Sequence, residues 1–265
     1  MRAFVEGVGV VGPGLSGWIA GSAVLAGNEV YCFTPTAIPA SELLPPAERR
    51  RTGVPVKLAL AAGEEAFAGA RRDAAMTATV FASSSGDCDN LHHLLEALAT
   101  PEKQVSPTRF HNSVHNVVAG YWSIAMQCRA ASTSLCGHDA SVAAGLLEAA
   151  SQVASGGEPV ALVAYDHPYP EPLNAARPVA ASFGMALVLA PRASERAVAE
   201  IDVMFLPERA AATPMPDGGL EALRRGVPAA RSLPLLAALA RGSSETVILE
   251  YVEGTHLRVA LAPCA

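Results

Sequence analysis

Residues 136–139, Cys136-Gly137-His138-Asp139, put a thiol, an imidazole and a carboxylate within one turn, between a strand-like run and a helix of small residues. That is where an α/β enzyme displays a nucleophile, because the positive end of the helix favours a thiolate. His111 and His115, upstream, join His138 as candidate bases, so a Cys–His pair built on Cys136 is one chemistry these residue types permit. The competing reading is a packed thiol: in Ser134-Leu135-Cys136-Gly137 the cysteine closes a strand.

Other chemistry is thin. The five cysteines (Cys32, Cys88, Cys128, Cys136, Cys264) have no CxxC spacing, so neither a disulfide framework nor a zinc site is expected, and most read as small core residues. His92 and His93 are adjacent on a helix and point in different directions, which is wrong for a shared metal. Gly7-x-Gly9-x-x-Gly12 has the form of a dinucleotide fingerprint. However, its glycines fall inside an apolar run, and no acid ends the next expected strand, Val30–Phe33, to hold a ribose. No cofactor and no metal are expected.

The elements that must position residues 136–139 lie between 106 and 166. A polar loop leads into a helix over Asn112–Gln127, then a strand Ala131–Cys136. A helix Asp139–Ser155 follows, small all round and so buried, stopped by Gly156-Gly157; a strand Val160–Tyr165 closes the stretch. Upstream, the patterning predicts a strand at Phe4–Val11 and helices at Trp18–Leu25 and Val56–Ala70. A strand at Thr77–Ser83 precedes a helix through Leu91, Leu94, Leu95 and Leu98, capped by Asp89 or Asn90. Downstream come strands Ser182–Ala190 and Ala197–Phe205, helical pieces at Leu220–Arg225 and Leu233–Leu239, and a hairpin, Thr246–Tyr251 with His256–Leu261, turned at Glu253-Gly254. Alternating strands and helices predict an α/β layered fold.

Composition bounds the partners. Hydrophobic residues make up 51% of 265, charged residues 17% and aromatics 5%, and the net charge is −6. The acidic balance argues against nucleic acid or an anionic membrane as main partner, and Arg49-Arg50-Arg51, the one basic run, reads as a solvated loop. The low surface charge hints that a partner covers apolar surface. No run of eighteen apolar residues suggests a membrane span, and the start lacks a signal-peptide pattern, so a cytoplasmic protein is expected.

Several segments in order carry a resemblance: GVGVVGPG then Trp18, KLALAA at 57–62, the ASSSG turn, SPTRFHNSVHNVVAGYWSI, the buried helix, VALVAYD and FGMALVLAP. Over about residues 1–205 the chain resembles the β-ketoacyl synthases of the thiolase fold, specifically their amino-terminal half. The resemblance implies a layered α-β-α-β-α architecture. Its amino-terminal half, 1–205, would be complete, and a shortened carboxy-terminal segment, 206–265, would finish the fold. In that family a cysteine at the start of the buried helix is acylated by carrier-bound substrate, two histidines of the second half assist, and backbone amides form an oxyanion hole. Anchored on Asn116, Ala119-Gly120, Ser123-Ile124, Arg129 and Gly156, the family's nucleophile falls on Asp139, and Cys136 lies three residues earlier. An Asp there is expected to cap the helix. The chain has no His-Gly-Thr motif, and His256 reads as a strand residue.

These departures resemble the chain-length factors, ketosynthase-like proteins without the active cysteine, of the short kind found in aryl-polyene and xanthomonadin-type pathways. The implied partners are an active β-ketoacyl synthase, as a heterodimer, and acyl carrier protein, with a homodimer possible in isolation. Ser132, Ser134 and Cys136 would lie on the strand paired across the dimer, and Thr108, Arg109 and Phe110 would shape the partner's acyl tunnel. Three alternatives stay open. One is an autonomous synthase or acyltransferase using Cys136 with His138. Another is a malonyl-carrier-protein decarboxylase, for which Asp139 lacks the amide donor that cysteine-free relatives use. The last is a homodimeric scaffold or binding protein.

Overall fold

The structure, a computed structural model, describes residues 1–264. In chain order the elements are β1 (Arg2–Val11), α1 (Trp18–Leu25), α2 (Pro46–Arg49), α3 (Val54–Ala70), β2 (Ala78–Ala82), α4 (Cys88–Ala99), α5 (Pro107–Asn112), α6 (Val117–Met126) and β3 (Ser132–Leu135). Then follow α7 (Ser141–Gly156), β4 (Val160–Asp166), α8 (Leu173–Ala176), β5 (Phe183–Ala190), β6 (Ala199–Leu206), α9 (Gly218–Gly226), α10 (Leu233–Arg241), β7 (Glu245–Glu250) and β8 (His256–Pro263). A 3₁₀ turn at Pro228–Ser232 runs directly into α10.

The strands form one mixed sheet in the order β3-β2-β4-β5-β1-β6-β8-β7. β3, β2 and β4 run parallel; every other neighbour is antiparallel. β1 is the seam. Its residues Phe4–Val11 pair with β5, while only Arg2–Val5 pair with β6, and the register slips at Glu6. Glu6 is buried at this bulge and bonded by Arg72 and by the Ser194 hydroxyl. Burial raises its pKa, but the bonds to Arg72 and Ser194 outweigh that and hold it below the usual carboxylate value.

Two apolar clusters sandwich this sheet. On one face α3 and α6 pack on β4, β5 and Phe81 of β2. On the other, α7, the 228–232 turn and α10 lie between the β2-β4-β5-β1 region and the β6-β8-β7 region, which contributes Ile201, Val203, Val247, Leu257 and Val259. This is the thiolase-like α/β layering that the sequence implies. Among the described residues no helix covers the outer face of β6-β8-β7, where Met204 stays exposed.

Gly7 and Gly9 let α3 lie against β1, since a Cβ at Gly9 would stand 1.9 Å from the Ala62 carbonyl oxygen. The Gly7/Gly9/Gly12 pattern therefore serves helix–sheet packing.

Several local expectations are corrected. Residues 30–33 form no strand, and Val30 and Phe33 are exposed. The helix expected over Asn112–Gln127 is two helices, broken at 113–116, and the loop before it is itself α5, started by Pro107 with Ser106 as N-cap. Asp87 caps α4, accepting the Asn90 N–H at 3.1 Å. Of the five cysteines only Cys128 is buried; Cys32 and Cys136 are exposed. His256 opens β8, buried, and its Nδ1 accepts the Ala210 N–H at 3.2 Å.

Candidate functional site

The parallel strands β3, β2 and β4 end at one edge of the sheet, and the polar residues converge there, as topology requires of an α/β sheet. Ser83 and Ser84 follow β2, Cys136 follows β3, and Asp166 and His167 stand at the end of β4. Asp166 is fully buried; its Oδ1 accepts the Ser84 N–H at 2.8 Å and the Ser83 hydroxyl at 3.3 Å, and its Oδ2 has no partner among the described residues. Burial pushes its pKa up to about 6 against the pull of those bonds.

The turn between β3 and α7 is held by Ser141. Its hydroxyl accepts the Gly137 N–H at 3.0 Å and donates to the His138 carbonyl at 2.6 Å. His138 takes φ +54°, the left-handed region, at a cost of about 1 kcal/mol for a non-glycine residue. The helix proper begins at Ser141 with Ala140 as N-cap and no side-chain cap. The expected capping by Asp139 is therefore overturned, because its carboxylate turns away from the helix to two arginines. Oδ1 accepts from Arg177 Nη2 at 2.8 Å and Oδ2 from Arg231 Nη2 at 3.2 Å.

The network extends further. Arg177 bonds the Tyr169 hydroxyl and stacks over its ring, with 5.5 Å from Cζ to the centroid. Arg231 reaches Glu250 at 3.0 Å, and Glu250 lies 3.9 Å from Arg224. Arg224 is paired through two bonds with Glu221, whose pKa it holds down to about 2. A cavity of 430 Å³ opens over Asp139, lined by His138, Arg177, Arg225 and Arg231 among others. Nothing in that lining is a thiol.

Cys136 stands apart from it. Its sulfur donates to the Ser84 carbonyl at 3.3 Å and accepts the His138 backbone N–H at 3.4 Å. The His138 ring reaches the Asp139 carboxylate instead, with Nδ1 3.5 Å from Oδ1. His115 directs Nε2 at the Ser83 carbonyl, 3.4 Å away, and His111 packs edge-on against Tyr121. No imidazole among the described residues is bonded to the Cys136 sulfur.

Thr108, Arg109 and Phe110 sit on α5, all exposed, Phe110 at 63%. Phe110 is therefore not a core anchor of this chain. Thr108 and Arg109 border a second cleft of 700 Å³ with Arg50, Arg51 and Lys57, separate from the Asp139 cavity. Ser132 and Ser134 lie on β3, which among the described residues is hydrogen-bonded only to β2 and leaves its other edge open; the Ser132 hydroxyl accepts from Thr79 at 3.0 Å.

Sequence reasoning missed Arg177, Arg231, Ser141 and Asp166. Ser141 sat within reach, two residues past Asp139. The arginines are 38 and 92 positions away and carry no spacing signal.

The family model described as "Beta-ketoacyl synthase, N-terminal domain" matches residues 26–246. The chain belongs to that β-ketoacyl synthase family. A comparison with curated proteins finds no match. Among solved structures, the chain is similar to one in the ketosynthase ApeO in complex with its chain length factor ApeC from Xenorhabdus doucetiae. That match has 20% identity and TM-score 0.75, covering 98% of this chain and 99% of that one. It is also similar to the ishigamide ketosynthase/chain length factor, at 16% identity and TM-score 0.74, with both chains covered fully. A third is the AntDE:AntF complex of a type II polyketide acyl-carrier protein with its hexaketide-bound ketosynthase, at 14% identity and TM-score 0.76, covering 99% of each chain. At these identities the likeness establishes the thiolase-like fold. No helix among the described residues is long and apolar enough to cross a membrane.

Proposed function

We propose that this chain is a ketosynthase-like subunit with no condensing activity of its own. In this reading it is a chain-length factor that pairs, in the cytoplasm, with an active β-ketoacyl-carrier-protein synthase of a fatty-acid or polyketide-type pathway, of the aryl-polyene kind. What supports it is Asp139, which the resemblance puts at the family's nucleophile position and whose carboxylate is tied to Arg177 and Arg231. An ion-paired carboxylate is a poor nucleophile toward a thioester, and its acyl product would be a reactive anhydride. The priming-decarboxylase alternative is weakened in the same way, because both Asp139 oxygens accept and neither donates.

The open edge of β3 supplies an unpaired row of backbone groups for a partner strand, with Ser132, Ser134 and Cys136 along it. Exposed Phe110, with Thr108 and Arg109 beside it, supplies an apolar probe for the partner's acyl tunnel. Acyl carrier protein delivers substrate to the pair, and a homodimer through the same edge is the expected form of the chain expressed alone.

Co-expression with the cognate ketosynthase tests this. A stable complex whose product is unchanged by Cys136→Ser and lengthened by Phe110→Ala is expected. Acylation of Cys136 in the isolated chain by an acyl-thioester or cerulenin-like probe, with turnover lost in Cys136→Ser, would overturn it in favour of an autonomous synthase or acyltransferase using Cys136 and His138.

A further inference from the structure

The cavity over Asp139 gathers like charges that the protein itself does not fully compensate. Arg177 comes from the loop before β5, Arg225 from the end of α9 and Arg231 from the 228–232 turn. Against these three positive charges the lining holds one carboxylate, Asp139, leaving a formal charge of +2 in a 430 Å³ space (three minus one). Two of the guanidinium groups bond the two oxygens of one carboxylate, so they are held side by side at a repulsive separation.

The donors are also underused. Each guanidinium carries five N–H groups. Arg177 gives Nη1 to Tyr169 and Nη2 to Asp139, and Arg231 gives Nη2 to Asp139 and Nη1 to Glu250. The Nε–H of both, and every donor of Arg225, have no acceptor among the described residues. Glu250, 3.0 Å from Arg231, offsets one of these charges from outside the lining, since Arg224 has Glu221 as its own partner; the charge left without a counter-ion is that of Arg225.

We propose that this cavity is an oxyanion site that takes a phosphate-class dianion, free or as a monoester, between Arg177, Arg225 and Arg231. Forked N–H donors match tetrahedral oxygens, an anion offsets the charge that Arg225 leaves uncompensated, and the volume exceeds what a bare phosphate needs, leaving room for an ester substituent. Asp139 is then the internal counter-ion that keeps two of the arginines in place while the site is empty. The site does not depend on pairing with a ketosynthase, so its test and the co-expression test fail separately.

The test is calorimetric titration of the full chain with inorganic phosphate and with glycerol 2-phosphate, at constant ionic strength against chloride and acetate. Saturable binding of both phosphates, and not of acetate, is expected; binding of inorganic phosphate alone narrows the ligand to the free ion. Arg225→Ala, which removes an exposed side chain without an ion-pair partner, is expected to weaken binding about tenfold. Arg192→Ala, an exposed arginine at a different cleft, is expected to leave it unchanged. Asp139→Asn removes the competing negative charge and is expected to tighten binding several-fold. A chain that shows no saturable binding, equal behaviour of the Arg225 and Arg192 variants, or weaker binding in Asp139→Asn overturns the proposal.

Discussion

The middle of the sheet and its carboxy-terminal end are built on different rules. β4 (VALVAYD) and β5 (FGMALVLA) are buried at every position, because helices cover both of their faces. β6 and β7 alternate instead. Ala199, Ile201 and Val203 point inward and are buried, while Glu200, Asp202 and Met204 between them are partly or fully exposed. A continuous apolar run signals a strand enclosed on both sides, and alternation signals one enclosed on one side. The carboxy-terminal strands keep the inner packing that shelters α7 and α10 and do without an outer layer. The same divide sets the site, since Asp139 comes from the enclosed side and Arg231 and Glu250 from the segment that closes over it.

The largest effect should come from disturbing the enclosed half where helix and strand touch. Gly9→Val puts a branched side chain where even a Cβ lies 1.9 Å from the Ala62 carbonyl oxygen, and backbone cannot yield as a side-chain tip can. A loss of about 4 kcal/mol or more is expected in urea unfolding, a large part of a domain's total stability. A loss under about 1 kcal/mol would mean that α3 does not pack this closely on β1, and the contrast between the two regions would weaken.

How much was legible follows from the same contrast. The enclosed strands and α3 were readable because their signal is local: long apolar runs, and a helix period over Val54–Ala70. The central turn was readable as a strand-to-helix junction, since the strand before Cys136 and the helix of small residues after it are local signals. What holds Asp139 was not readable. Its two arginines are brought in by the fold across 38 and 92 residues, from a proline-rich loop and from the turn at 228–232. The strand expected at Val30–Phe33 failed for the opposite reason. Its β-branched and aromatic residues have local strand propensity, but the segment joins no strand of the sheet, and propensity without a ladder makes no strand. Asp139 as a cap failed because charge pairing with two guanidiniums outcompetes one bond to a helix N–H.

An intermediate effect, and one that depends on pH, is expected at Asp166. Its pKa in the folded protein, about 6, lies above the ordinary 3.8, so the folded state holds an extra proton between those values. The stability this contributes is complete below about pH 4 and is lost as pH rises through about 6, where the buried group must ionise. Asp166→Asn removes that titration. The fall in stability between pH 4 and pH 8, on the order of 2 kcal/mol, should shrink in the variant when urea midpoints are compared at the two pH values. An unchanged slope would place the titrating group elsewhere and leave the end of β4 no different from an exposed strand end.

The smallest effect belongs to the bare face. Met204 lies on the outward side of β6 and is 43% exposed, between neighbours that are themselves partly solvated. Met204→Ser removes apolar surface that the isolated chain has not fully taken from water and leaves no cavity, so the expected change is within about 0.5 kcal/mol. The measurement matters because the sign of the comparison hangs on it. If the loss approaches that of a core methionine, about 2 kcal/mol or more, then something covers this face in solution, and its exposure in the single chain marks an interface. A null result leaves β6-β8-β7 as a sheet that needs only its inner face, with the alternating charges of Glu200 and Asp202 keeping the outer one in water.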